Sequence, residues 1–334
     1  MREHSPELRF LLAACSVGGA SSAPEPPADS ERLARLAWFH RVGPLVYERR
    51  AWLGLDVDAA EPFRRMALAT LHRNLQLAAE LKTARRALSE AGVPVILLKG
   101  AHLMDAVYRN PALRPMSDLD LLIRPEDAAR ACHALAAAGF HADPRKAAFT
   151  GRIDREIRLD KSGVHDLHIE LHTDLNRPTR HHWFPMDALW ERSIAYVLDG
   201  EPARALSAED NAVFLAAHAV PHAFGQLIWL RDIAGLMAAG LDGDELARAA
   251  SEAHARRAVQ AALALAASHL GAPLPSGFPP DLPKAAARLN LDSPRYSTLA
   301  SLRFRAALAD TPADAASILA AALSRKIAVS APSR

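Results

Sequence analysis

Two short apolar runs flanking a punctuated loop constrain this chain more than any other stretch. The first, Val93 to Leu98, ends on Lys99-Gly100; the second, Asp118 to Ile123, reads D-L-D-L-L-I. In an extended strand alternate side chains share a face. Asp118 and Asp120 then point one way, while Leu119, Leu121 and Ile123 point into a core. Adjacent like charges repel, and a cation relieves the repulsion most simply. Mg²⁺ takes oxygen ligands and accompanies phosphates, so a divalent-cation and phosphate site is the leading reading. A solvated strand edge is the bland alternative.

The flanks of this stretch differ from it. Residues 6–16 fit a short amphipathic helix, Gly19 to Pro27 a break, and Asp29 or Ser30 caps a helix running to about His40. Gly43-Pro44 ends that helix and opens a further turn, and Asp58 to Ala91 forms a long helical pattern stopped by Gly92. After the two strands, Pro125 to Ala138 reads as a helix ended by Gly139, and Phe140 to Ala142 as a short strand. Ala101 to Tyr108 is read as helix and Arg109 to Ser117 as loop. Glu156 to Asp160 and Val164 to His172 alternate around Lys161-Ser162-Gly163, a hairpin signal. A second hairpin is expected over Ala195 to Leu206, turning at Asp199-Gly200. Helices are expected over 208–220, 226–240, 243–270, 282–289, 296–309 and 312–326, the first opened by the capping pattern Ser207-Ala208-Glu209-Asp210. The expected architecture is α+β: a small mixed β-sheet core at 93–206, an N-terminal helical region at 1–92 and a C-terminal helical domain at 207–334.

A third carboxylate joins the pair. In His168-Ile169-Glu170-Leu171-His172, alternation puts His168, Glu170 and His172 on one face. Carboxylates on neighbouring strands can hold one or two divalent ions, which neutralise a triphosphate and activate a hydroxyl. L-L-K-G (Leu97 to Gly100), R-P-M-S-D-L-D-L-L-I (Arg114 to Ile123), H-I-E-L-H (His168 to His172), L-S-A-E-D (Leu206 to Asp210) and W-L-R-D-I-A (Trp229 to Ala234) carry a resemblance. Over about residues 90–240 the chain resembles the polymerase-β-like nucleotidyltransferase superfamily, and more narrowly a bacterial family of uncharacterised nucleotidyltransferases. R-V-G-P-L-V-Y (Arg41 to Tyr47) matches more loosely.

The resemblance implies that Asp118, Asp120 and Glu170 bind Mg²⁺ (or Mn²⁺) and carry the catalysis. It implies an NTP, ATP being the expected one, whose monophosphate moves to a hydroxyl-type acceptor with release of pyrophosphate. The superfamily's Gly-Ser phosphate turn is here Lys99-Gly100, where glycine allows close backbone approach and lysine adds charge. Arg114 either grips a phosphate bidentately or pairs with an acidic neighbour. Ser117, His168 and His172 complete the expected nucleotide-binding set, the histidines as hydrogen-bonding walls or, alternatively, as bases or ligands. H-x-E-x-H on a strand is not the helical H-E-x-x-H zinc motif. His218 and His222 are expected to pack, Trp229, Arg231 and Asp232 to be structural, and His181-His182-Trp183 to be candidates for an acceptor pocket. A non-catalytic nucleotide sensor, or a phosphotransferase using the γ-phosphate, remains an alternative on the same fold.

Composition narrows the partners. A formal net charge of +2 over 334 residues offers no field for nucleic acid. The acceptor is then a small molecule, sugar, peptide or protein hydroxyl. Cys15 and Cys132 are too few for a disulfide framework, so the reducing cytoplasm is the expected compartment. Leu12 to Cys15 looks locally like a lipoprotein cleavage site, but the apolar run before it is short and Glu3 and Glu7 stand where positive charge belongs. No run approaches the length of a membrane span. The oligomeric state is left open.

Overall fold

A computed structural model describes residues 4–19, 22–142, 155–163, 167–176, 182–284, 291–292 and 298–320. Four helices come first: α1 (Pro6–Cys15), α2 (Ser30–Phe39), α3 (Gly43–Glu48) and α4 (Val57–Glu90). Three begin on a side chain that accepts an otherwise unpaired amide: Ser5 from Leu8, Asp29 from Arg32 and Asp56 from Ala59. The end of α4 is the left-handed turn that Gly92 foretells. Its φ is +67°, and the Val93 amide donates to the Leu88 carbonyl at 2.9 Å.

Seven strands then build one mixed sheet: β1 (Ile96–Leu97), β2 (Leu119–Leu122), β3 (Phe140–Ala142), β4 (Glu156–Lys161), β5 (His168–His172), β6 (Ile194–Leu198) and β7 (Glu201–Ala205). Their order is β3-β4-β5-β2-β1-β7-β6. β2 runs parallel to β5 and β1 parallel to β7, and the remaining neighbours are antiparallel. The fold is thus α+β with a small mixed sheet, as the alternation and turns imply. The β6–β7 turn has Asp199 and Gly200 both at positive φ, +51° and +79°. That pairing is the tight two-residue turn whose twist matches its strands.

Local expectations are corrected in four places. Of the run Val93 to Leu98 only Ile96 and Leu97 are strand, and the Leu98 amide adds one bond to the Asp120 carbonyl at 3.0 Å. The helix after it, α5 (Lys99–Leu103), starts two residues before Ala101 and widens into a π-helical turn over Met104–Tyr108. The β4–β5 connection is wider than Lys161-Ser162-Gly163: the Lys161 amide meets the Leu167 carbonyl, and 164–166 lie outside the described residues. The helix expected over 243–270 is two helices, Gly243–Glu252 and Arg256–Leu270.

Beyond the sheet run α6 (Ala128–Ala137), which precedes β3, then α7 (Met186–Arg192), α8 (Ala208–Ala219), α9 (Leu227–Ala239), α10 (Gly243–Glu252), α11 (Arg256–Leu270) and α12 (Thr298–Ala307), with 312–320 also helical. α10 stops at Glu252, and His254 just after it has a φ of +50°. α11 restarts because both Asp310 carboxylate oxygens take its first amides, Arg256 and Arg257, at 2.8 Å. α7 carries no signal that the sequence reading used. Of the helix expected over 282–289, residues 285–289 lie outside the described set, and 321–326 of the last one do too.

Alternation along β2 and β5 divides the core. Leu119, Leu121, Ile123, Ile169 and Leu171 pack with Leu77, Leu81 and Leu88 of α4 and Leu135 of α6. Each such fully buried side chain contributes roughly 1.5–3 kcal/mol. Leu122, on the opposite face, joins the larger helical core with Phe214, Leu230 and Leu263. Asp118 and Asp120 share the face of Leu122, so they look toward the C-terminal helices. Among the described residues no helix is long and apolar enough to cross a membrane.

Candidate active site

The parallel register of β2 and β5 sets Asp120 directly beside Glu170 and Leu119 beside Ile169. Asp118 sits one residue before β2, half-buried, and Asp120 is almost wholly buried. Among the described residues two groups of potential ligand atoms lie within 4.8 Å of one another: Asp118, His168 and Glu170, and Asp120, Glu170 and His172. Glu170 belongs to both.

This concentration of negative charge has only partial compensation. The Lys99 ammonium donates to Asp120 Oδ1 at 2.6 Å, and His172 Nε2 donates to the same oxygen at 3.0 Å. His172 also lies 3.9 Å from Glu170 and, through Nδ1, 3.7 Å from Glu156. Burial would raise the Asp120 carboxyl, but Lys99 and His172 outweigh it and hold it well below the usual carboxylate range. Burial lowers Lys99, and the charges of Asp120 and Glu170 reverse that and raise it. Glu170 goes the other way. Burial, then the Asp120 charge, then Glu156 and Asp118 push it up to about 7 against the pull of Lys99.

A hard divalent cation suits these donors. Carboxylate oxygens dominate each group, and a positive charge shared by Asp118, Asp120 and Glu170 would remove the repulsion that lifts Glu170.

Lys99 occupies an unusual backbone position, with φ at +43° as the first residue of α5. A left-handed conformation costs a side-chain-bearing residue roughly 1–2 kcal/mol. The turn aims the ammonium at Asp120, whereas the sequence suggested a phosphate contact. Gly100 beside it is tightly enclosed: a Cβ there would lie 2.6 Å from both Arg114 Nη1 and Met116 Sδ. Only glycine fits that approach.

Arg114 takes the second of its two readings and pairs with an acidic neighbour. Its Nε and Nη2 donate to the two Asp232 oxygens at 2.9 and 2.7 Å, and Tyr108 donates to Asp232 at 2.7 Å. Asp232 is fully buried, and a bidentate pair of this kind leaves little of the fork for a phosphate. The pair ties the loop before β2 to α9. Ser117 Oγ donates to Asp118 at 2.9 Å, and His168 Nε2 stands 4.0 Å from Asp118.

The sequence reading missed what holds that loop. Asn74 of α4 donates to the Pro111 and Arg114 carbonyls, Arg73 to Ser117 and Arg41 to Pro115. Only polar residues at inward positions of α4 could have signalled this; Asn74 is fully buried where Leu would be usual. Glu156, the first residue of β4, was read only as a hairpin residue.

On the other side of Lys99 and His172, His182, Phe184, Phe214 and His218 close around a recess of about 10 Å³, enough for one water. His182 Nδ1 meets the His254 carbonyl at 3.2 Å, and Trp183 is exposed; His181 lies outside the described residues. His218, His222 and Trp229 pack ring against ring, with centroids 5.0–6.2 Å apart.

Residues 26–271 match the model of a family described as uncharacterised nucleotidyltransferase. A solved structure similar to part of the chain is that of the antibiotic-resistance factor ANT(2'')-Ia. It is 15% identical over 44% of this chain and 73% of that one, with a TM-score of 0.33. No curated protein matches the chain.

Proposed function

The chain belongs to the uncharacterised nucleotidyltransferase family, and on that premise we propose that the β2–β5 carboxylates transfer a nucleoside monophosphate from an NTP to an acceptor hydroxyl. ATP is the expected donor and pyrophosphate the leaving group. What supports the reading is the in-register pair Asp120 and Glu170, with Asp118 and Glu170 sharing the other group of donors. Asp118, Asp120 and Glu170 would hold Mg²⁺ or Mn²⁺, which when bound supplies charge to the triphosphate and acidifies the acceptor hydroxyl.

The chain's own residues have separable tasks. Asp120, buried and strongly acidic, stays ionised and anchors Lys99 and His172. Glu170, common to both donor groups, would take the acceptor's proton as the new bond forms. As the acceptor oxygen bonds to the α-phosphorus, the bond from that phosphorus to the pyrophosphate oxygen breaks, and its electron pair leaves with pyrophosphate. Lys99 is placed to exchange Asp120 for a β- or γ-phosphate oxygen, with the Gly100 amide beside it. Fixed positioning and charge supply the rate.

The test is NTP turnover with Mg²⁺ for the wild type and for Asp118→Asn and Asp120→Asn. Equal turnover in all three sinks the assignment. ATP labelled at the α- or the γ-phosphate separates nucleotidyl transfer from phosphoryl transfer, because only the former leaves the α-label on the acceptor. NTP binding without pyrophosphate release under any acceptor would instead favour a sensor, in which Lys99 stays on Asp120.

A further inference from the structure

A groove of about 690 Å³ lies among α2, α3, α4 and the Pro115-Met116 segment, and the chemistry above assigns it nothing. Its size is in the range of roughly 300–1,000 Å³ typical of small-molecule sites. Trp38 and Phe39 stand at its rim, 72% and 36% exposed, and Met66 lies in its wall. Among the described residues no acidic side chain lines it, whereas Arg41, Arg65 and Arg73 do. Arg65 is paired with Glu61 at 2.9 Å.

Arg41 is different. Its backbone is left-handed, at φ +59°. Its Nη2 donates to the Pro115 carbonyl at 3.2 Å, and among the described residues it makes no ion pair. Burial, then repulsion from Arg114, lower its pKa, with Asp118 and Asp232 opposing from a distance. A half-buried guanidinium short of negative charge is a site for an anion. Arg73 Nη2 donates to the Ser117 carbonyl at 2.9 Å, and Ser117 in turn contacts Asp118. Arg73, in the wall of the groove, therefore holds the residue that precedes Asp118. Met116 separates it from the phosphate turn: its sulfur packs on Gly100, and the same side chain lines the groove.

Resting on the nucleotidyl-transfer reading, we propose that this groove receives the acceptor, a small molecule carrying an anionic group on a flat apolar body. Arg41 holds the anion, Trp38, Phe39 and Met66 hold the body, and the hydroxyl faces Asp118. That hydroxyl oxygen bonds to the α-phosphorus of the NTP, its proton passes to Glu170, and pyrophosphate leaves with the electrons of the broken bond.

Three probes of one shape and different charge test this: 4-hydroxyphenylacetate, its neutral amide and tyramine. Calorimetry on the full chain without nucleotide measures binding, and transfer from α-labelled ATP with Mg²⁺ measures use. The hydroxy acid should bind and be labelled best. Arg41→Gln should weaken it roughly tenfold or more, Trp38→Ala several-fold, and the KM for ATP should hold within about twofold. Trp38 is exposed enough that its loss leaves the fold intact, and unchanged thermal unfolding of both variants verifies that. Equal binding of all three probes overturns the proposal, as does an ATP KM that rises in Arg41→Gln while the probe's does not. Charge-selective binding without label transfer from any NTP keeps the groove and sinks the nucleotidyl-transfer reading instead.

Discussion

Two buried clusters of charge lie on either side of the loop before β2, and they are built on opposite principles. In the first, Arg114, Asp232 and Tyr108 form a closed set: one cation, one anion and one hydroxyl, with Asp232 accepting three hydrogen bonds. In the second, Asp118, Asp120 and Glu170 share a single lysine and two histidines. The first set is neutral and saturated, so it serves as a joint. The second carries surplus negative charge that adds to burial in raising Glu170 to about 7, and its lysine is held in a left-handed turn. Such unsatisfied charge is tolerated where a ligand completes it.

The sharpest way to break the contrast is Glu170→Gln. It removes repulsion from the open cluster while deleting a proposed ligand and base. Activity should fall by more than about 10³-fold, a barrier rise above ~4 kcal/mol, while the melting temperature holds or rises. A parallel loss of stability and activity would make the open cluster a joint like the other. Next in size is Asp232→Asn. Arg114 would be left buried without its counter-charge, at about 3 kcal/mol of stability, measured by urea unfolding. If Arg114→Met/Asp232→Leu recovers most of that loss, the closed pair is structural and Arg114 has no phosphate task.

How much of this contrast the chain announced depends on the range of each interaction. The β2 face was readable because Leu119, Leu121 and Ile123 alternate with Asp118 and Asp120. The same holds for Glu170 between Ile169 and Leu171, and local φ > 0 positions such as Gly92 and Asp199-Gly200 mark their turns. What joins distant segments was not readable. Nothing local says that β2 pairs in parallel with β5, that Asp232 is the partner of Arg114 118 residues away, or that Asp310 restarts α11 at Arg256. Lys99 was identified as a site residue, yet its partner followed from a backbone turn that propensity does not foresee in a lysine. Arg41 and Arg73 were scattered arginines until the loop folded against them.

A third buried ionisable group sharpens the comparison, because it is resolved by neutrality rather than by pairing. Partner geometry sets the His40 tautomer: Nε2 donates to the Leu291 carbonyl at 2.9 Å, and Nδ1 accepts from the Leu227 amide at 3.2 Å. Burial lowers its pKa to about 4, with the Leu291 carbonyl and Asp292 opposing. The unfolded chain then binds the proton more readily between pH 6.5 and 4. Stability is full above about 6.5 and is lost as the pH falls, at up to ~1.4 kcal/mol per pH unit and about 3 kcal/mol in all. His102 and His269, each lowered to about 4 mainly by burial, add in the same direction. Urea unfolding at pH 7, 6 and 5 reads the slope, and His40→Gln should reduce it by about one proton. An unchanged slope would mean that His40 does not titrate on unfolding.

The smallest effect is the most controlled, since each cluster has one hydroxyl that donates to one carboxylate. Tyr108 donates to the fully buried Asp232 at 2.7 Å, and the exposed Ser117 donates to half-buried Asp118 at 2.9 Å. Burial pushes the Tyr108 hydroxyl well above its ordinary pKa, reinforced by Asp232, so it remains a donor across the accessible range. Tyr108→Phe removes one of three hydrogen bonds from an anion that water cannot reach, so stability should drop by about 1.5 kcal/mol with little change in ATP affinity. Ser117→Ala removes a bond that water can replace, and its cost in stability should stay below about 0.5 kcal/mol. Its effect should instead fall on metal dependence, because Asp118 loses its fixed rotamer and more Mg²⁺ is needed for half-maximal turnover. If Ser117→Ala unfolds the chain as readily as Tyr108→Phe and leaves the Mg²⁺ requirement alone, the open cluster is bearing structure. The division between joint and site would then have to be redrawn at Asp118.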